Sequence, residues 1–137
     1  MMVQLAAMLL VLQTAASPGT PTGGVQDAAY GPGGRLALAI DGDIWVQRSA
    51  SDATHWIQIT SGAAWHREPA WSADGSSLVF ASSREGDSRL YKVRLGAAGT
   101  STAAGSPQRV TDSNAWESSP TFAPDGTLAF VRGRGPT

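Results

Sequence analysis

The sequence contains no cysteine, which excludes a disulfide framework, a thiolate metal site and a cysteine nucleophile. Histidine occurs only at His55 and His66, so general-base chemistry has few candidates. Charge is sparse as well: 15% of residues are Asp, Glu, Lys or Arg, the formal net charge is -1, and the basic residues are scattered. Such a chain has no electrostatic footprint for nucleic acid or for an anionic membrane surface, and neither is expected as a partner. There is no Gly-x-Ser-x-Gly elbow, and neither histidine has a serine and a carboxylate in a motif context, which leaves nucleophilic catalysis without a constellation. Gly31-Pro-Gly-Gly34 opens a hairpin rather than a helix, so no phosphate-cradling loop and no cofactor are expected. What is present is 42% hydrophobic residues in a chain of 137, an ordinary quantity for one globular domain, punctuated by 16 Gly and 8 Pro.

No side chain between Met1 and Gln26 is charged, and the apolar run from Leu5 to Leu12 is shorter than the roughly 20 residues a membrane span needs. Small residues at Thr14-Ala-Ala16 follow it. This order is that of a secretory signal peptide over residues 1–16, cut after Ala16, with residues 17–24 (Ser-Pro-Gly-Thr-Pro-Thr-Gly-Gly) as a flexible linker. The n-region has no Lys or Arg, which leaves a buried helix or a misplaced start codon as the alternatives. The first reading predicts a periplasmic or secreted protein with no stable membrane insertion once the signal is removed.

The rest of the chain is governed by a repeat. Thr60 to Gly75 lies on Thr111 to Gly126 without a gap, placing Trp65 on Trp116, Pro69 on Pro120, Trp71 on Phe122 and Asp74-Gly75 on Asp125-Gly126, a shift of 51. Upstream, Tyr30 and Gly34 repeat Trp71 and Gly75 at a shift of 41. The offset grows only between apolar runs, as it must if the runs are strands: a loop lengthens at little cost, whereas a one-residue slip of a strand turns its core face outward. Within the central unit the runs are Pro69–Trp71, Leu78–Ala81, Leu90–Val93 and Gln108–Val110, separated by Asp-Gly and Glu-Gly-Asp turn signals. Leu78–Ala81 is apolar on both faces, so its sheet is sandwiched between others. Units of about 40–50 residues with four antiparallel strands packed face to face are blades of a β-propeller. The expected fold is all-β, a partial propeller over residues 25–137 with about two and a half four-stranded blades: Val25 to Thr60, Glu68 to Thr111, and two strands from Ser119 to Arg132.

Pro69-Ala-Trp-Ser-Ala-Asp-Gly75, the strand Leu78–Ala81, Ser82-Ser-Arg-Glu-Gly86, Leu90-Tyr91 and the closing Val110-Thr111 resemble the TolB-type (WD40-like) propeller repeat. The repeat departs from the family pattern at Ala73, where a proline is usual, and the first copy has Gly33 for the aspartate. The resemblance implies the fold directly. For function it implies either a non-catalytic module for protein or peptide binding, as in periplasmic TolB, or the propeller of a tricorn-like or prolyl-oligopeptidase-like peptidase or an amidohydrolase, with its catalytic domain beyond Thr137. Closed propellers have 4–8 blades, so the expectation is a fragment of a longer protein, a truncated product, or a protomer completed by self-association through its open blade faces, in that order.

Antiparallel order puts the loops between second and third strands on the same mouth as the crossovers between blades. One rim therefore collects Trp65, His66, Arg67 and Glu68 with Arg84, Glu85, Trp116 and Glu117, joined by Asp41, Asp43 and Asp87. These residues are the candidate protein- or peptide-binding rim; for the two tryptophans, inter-blade packing is the favoured reading, since aromatics are mostly core residues. His66, Arg67 and Glu68 have no like residue at Glu117, Ser118 and Ser119, which favours recognition, yet a solvated loop suits His66 and Glu68 better than a metal site, since their spacing matches no ligand motif. Tyr30, Trp45, Trp71, Tyr91 and Phe122 are expected in the core.

Overall fold

The computed structural model describes residues 23–96 and 105–135; the expected signal peptide and residues 17–22 of the linker lie outside them. Asp41-Gly42 shows how the local chemistry sets the fold. Both residues have positive φ (49° and 86°), the backbone that a two-residue hairpin with the natural strand twist requires and that Asp and Gly tolerate best. The turn joins β2 (Leu36–Ile40) to β3 (Asp43–Ser49), with β1 (Val25–Tyr30) and β4 (Asp52–Gln58) on either side in sequence order. The same meander recurs as β5 (His66–Trp71), β6 (Ser77–Glu85), β7 (Asp87–Arg94) and β8 (Gln108–Arg109), and a third time as the pair β9 (Trp116–Phe122) and β10 (Leu128–Gly133). All pairings are antiparallel. The described residues thus form two four-stranded blades and one two-stranded sheet, the arrangement expected from the repeat.

The Asp-Gly turns between first and second strands close as expected. Ser72 N–H bonds to Ser77 O and Gly75 N–H to Ser72 O, while the Asp74 carboxylate collects the Ser76 amide and the Ser72 and Ser76 hydroxyls, which holds its pKa down at about 2. Asp125 does the same with the Thr127 amide. In the first blade, which lacks that aspartate, a short 3-10 turn at Pro32–Gly34 takes its place.

Alternation along the second strand of each blade assigns the packing. Ala37 and Ala39 face Leu78, Phe80, Tyr91 and Val93 across the gap between the first two blades, with Trp71 driven into the same cluster. Val79, Ala81 and Leu90, on the opposite face, receive Trp65, Phe122, Leu128 and Phe130 from the crossover and the third sheet. Leu36, Leu38, Ile40 and Trp56 form a separate cluster with Trp45 on the remaining face of the first blade. Small residues thus meet large ones at each interface, the interdigitation that close packing demands. Gly31 allows one such approach: a Cβ there would stand 2.4 Å from the Trp71 ring.

Four of the five aromatics expected in the core join these clusters. Tyr30 does not and is 45% exposed. It stands at the first-blade position of Trp71, whose indole N–H reaches back to Ala29 O of the first blade; among the described residues no sheet precedes the first blade to receive Tyr30 in the same way.

Candidate functional site

The innermost strands β1, β5 and β9 share an irregularity that builds the site. Glu68 and Ser119, equivalent by the repeat, both adopt left-handed backbone (φ 55° and 53°) at bulges in their pairing with the next strand. Each bulge turns its amide toward the preceding blade, where an acidic side chain accepts it. Asp27 Oδ2 takes the Glu68 amide at 3.1 Å, and Glu68 Oε2 takes the Ser119 amide at 2.6 Å. Asp27 precedes Glu68 by the first repeat shift of 41, so one device is used twice in series to tie three sheets together.

At this mouth a cavity of about 710 Å³ opens between the three sheets. Asp27 and Gln26 line it from β1, Trp65, His66, Arg67 and Glu68 from the entry to β5, Asp87 from the hairpin between β6 and β7, and Trp116 from β9. The structure therefore brings together five of the eight residues of the candidate binding rim, Trp65, His66, Arg67, Glu68 and Trp116, and with them Asp87. Asp27, Gln26 and Ser88 were not among the candidates; the position of Asp27 one repeat before Glu68 was the available signal.

The other three stand elsewhere. Arg84 lies over the Tyr91 ring at 4.4 Å, and Glu85 accepts the Tyr91 hydroxyl at 2.6 Å and pairs with Arg109 at 3.1 Å. Desolvation, reinforced by Glu85, pushes the Tyr91 pKa up to about 12. Glu117 does not contribute to the rim surface: it is fully buried, accepting the Thr111 hydroxyl at 2.6 Å, the Arg132 guanidinium at 3.0 and 3.2 Å and the Leu90 amide at 3.4 Å. Burial alone raises its pKa, and these donors outweigh it, so the net shift is downward.

His66 is also no solvated loop residue. It begins β5, is 1% exposed, and sets its ring edge-on to Phe80 at 5.7 Å, while its amide bonds to Gly42 O of the first blade at 2.7 Å. Burial and then the charge of Arg84 depress its pKa, keeping the imidazole neutral. Neither ring nitrogen has a hydrogen-bond partner among the described residues, and the same holds for Nε of Arg67, whose guanidinium lies over the Trp65 ring at 4.3 Å. Among the described residues no cluster of three His, Asp or Glu has the geometry to hold a metal ion. The arrangement offers aromatic walls, hydrogen-bond donors and acceptors, and an open mouth, which suits recognition of an extended polar segment.

No family model matches the chain. Among solved structures it is similar to a putative TolB from Agrobacterium tumefaciens, with a TM-score of 0.61 and 24% identity over 80% of this chain and 39% of that one. TolB from Acinetobacter baumannii aligns with a TM-score of 0.58 and 18% identity over 80% of this chain and 27% of that one. The fold is that of the TolB-type propeller. In sequence, this chain is 30% identical over 117 residues to the uncharacterized peptidase YuxL of Bacillus subtilis strain 168, an alignment that covers 78% of this chain and 17% of that protein. The chain therefore spans well under half the length of each of these relatives. No described helix is long and apolar enough to cross a membrane.

Proposed function

We propose that this chain is a binding module in which the cavity at the mouth of the three TolB-type sheets takes up a peptide segment of a partner protein without chemistry of its own. The observation that carries the reading is the convergence of Trp65 and Trp116, from equivalent positions of successive repeats, on one cavity lined also by Arg67, whose Nε has no partner among the described residues. Aromatic anchors beside unsatisfied donors are what a peptide backbone with apolar side chains would complete. The test is selection of peptides from a displayed random library on the full chain, followed by titration against the wild type and Trp116→Ala. A loss of tenfold or more in the variant supports the reading; unchanged affinity puts the bound segment elsewhere.

Export through residues 1–16 belongs to the same reading and puts the module in the periplasm or outside the cell. N-terminal sequencing of protein made in a bacterium is expected to begin at Ser17, and a retained Met1 overturns export.

The similarity to YuxL favours a second reading, in which these blades are the propeller segment of an exported hydrolase and position substrate for a catalytic domain outside this sequence. Reading the gene beyond the codon for Thr137 separates the two: a catalytic elbow or metal motif supports the hydrolase, and further blades alone support the binding module.

A further inference from the structure

Resting on the reading of the cavity as a peptide site, the charges around it identify the group it takes. Asp27 and Glu68 are each committed to a backbone amide of the next sheet, and Asp87 pairs with Arg89 at 3.6 Å. Arg67 alone among the charged side chains lining the cavity has no hydrogen bond or ion pair with the described residues. Its one side-chain interaction with the described residues is with Trp65, its guanidinium carbon lying 4.3 Å from the ring centroid, and no described residue takes its N–H groups. Four buried side-chain nitrogen or oxygen atoms lack partners among the described residues, and three belong to His66 and Arg67. Leaving such groups unpaired is costly, and Arg67, which lines the cavity, is the one of the two whose charged head a ligand there can meet.

The two residues call for different partners. Alternation along β5 turns Arg67 toward Trp65 and the third sheet, and His66 toward Phe80 and the first blade. A neutral imidazole offers one donor and one acceptor, the complement of an amide, whereas a guanidinium offers only donors in a planar fork, the complement of a carboxylate. We propose that the cavity receives a peptide carboxylate on the free edge of Arg67, with Trp65 stacked beneath the guanidinium.

The carboxylate is either a C-terminus or an acidic side chain, and calorimetric titration of the full chain distinguishes them. The probes are acetyl-Gly-Phe as the free acid, acetyl-Asp-Phe-amide, and acetyl-Gly-Phe-amide as the neutral control. At least one of the two acids is expected to bind ten times or more tightly than the neutral peptide, and which one it is names the source. Arg67→Gln is expected to bring the acid down to the affinity of the neutral peptide, with Arg67→Lys, which keeps the charge but not the fork, falling between. Circular dichroism melting of both variants checks that they fold. Equal binding of acid and neutral peptides, or acid binding untouched in Arg67→Gln, overturns the carboxylate contact while the peptide site stands. Absence of binding by all three probes overturns the carboxylate contact, and the library selection with Trp116→Ala then decides separately whether the peptide site survives.

Discussion

Glu117 illustrates how a single side chain can belong to the architecture while its neighbours face the cavity. Its carboxylate is enclosed and bonded by Thr111, Arg132 and the Leu90 amide, and Ser88 bonds to its carbonyl oxygen at 2.6 Å, so it joins the third sheet to the second blade. Removing one partner of a buried ion pair costs about 3–5 kcal/mol, but Arg132 is 47% exposed and water can satisfy it, so Glu117→Ala is expected to lower stability by about 2–3 kcal/mol in urea denaturation. Glu117→Gln, which keeps an acceptor, is expected to cost less. Asp74 and Asp52 report on pH instead. Asp74 is lowered from 3.8 to about 2 by the Ser76 amide and nearby hydroxyls, and Asp52 from 3.8 to about 2 by the Thr54 hydroxyl and amide. A folded-state pKa below the unfolded one gives a contribution that is complete above the unfolded value and is lost as pH falls through the folded value. Stability is therefore expected to be flat above about pH 5 and to decline toward pH 2, with a shallower decline in Asp74→Asn. An identical slope in that variant contradicts the assignment.

At the scale of the element, the left-handed bulges of β5 and β9 tie sheet to sheet. Glu68 acts in both halves of the device, donating its amide to Asp27 and accepting that of Ser119. A hydrogen bond to a charged acceptor contributes about 1.5–3 kcal/mol when buried, and Ser119 is exposed, so Glu68→Ala is expected to cost about 1 kcal/mol and Glu68→Gln less, measured by urea denaturation. Strands and turns were legible in the sequence because they are local: the Asp-Gly signals at Asp74-Gly75 and Asp125-Gly126, and the doubly apolar run Leu78–Ala81, each fix their own conformation. The bulges were not legible, since Glu68 and Ser119 are residues that ordinarily avoid positive φ and are held there by partners 41 and 51 residues away. The burial of His66 and Glu117 was hidden for the same reason. A charged or polar residue beside a tryptophan at the head of a strand reads as rim, and it is partners distant in sequence, Gly42 and Phe80 for His66 and Leu90 and Arg132 for Glu117, that enclose them. The site was legible in part, through the equivalence of Trp65 and Trp116.

Over the whole molecule, the two complete blades share one cluster from Ala37 to Leu95, whereas the hydrophobic side chains that the third sheet brings to its interface are only partly buried. The outer edge of β10 pairs with no described strand, and Val131 is exposed. Backbone amides of β2, β6 and β7 are therefore expected to exchange only on global unfolding, and those of β10 earlier, by hydrogen exchange with mass spectrometry. Uniform protection across all three sheets contradicts this ordering. The proposal at stake is that the cavity between the three sheets is where this propeller segment takes up a peptide. The five tryptophans make it directly testable, because only Trp65 and Trp116 line the cavity while Trp45, Trp56 and Trp71 pack elsewhere. The measurement is a nitrogen-15 NMR titration of the indole N–H signals of the full chain with a library-selected peptide. The account predicts saturable shifts of the Trp65 and Trp116 signals with the other three unmoved; shifts confined to Trp45, Trp56 or Trp71 contradict it.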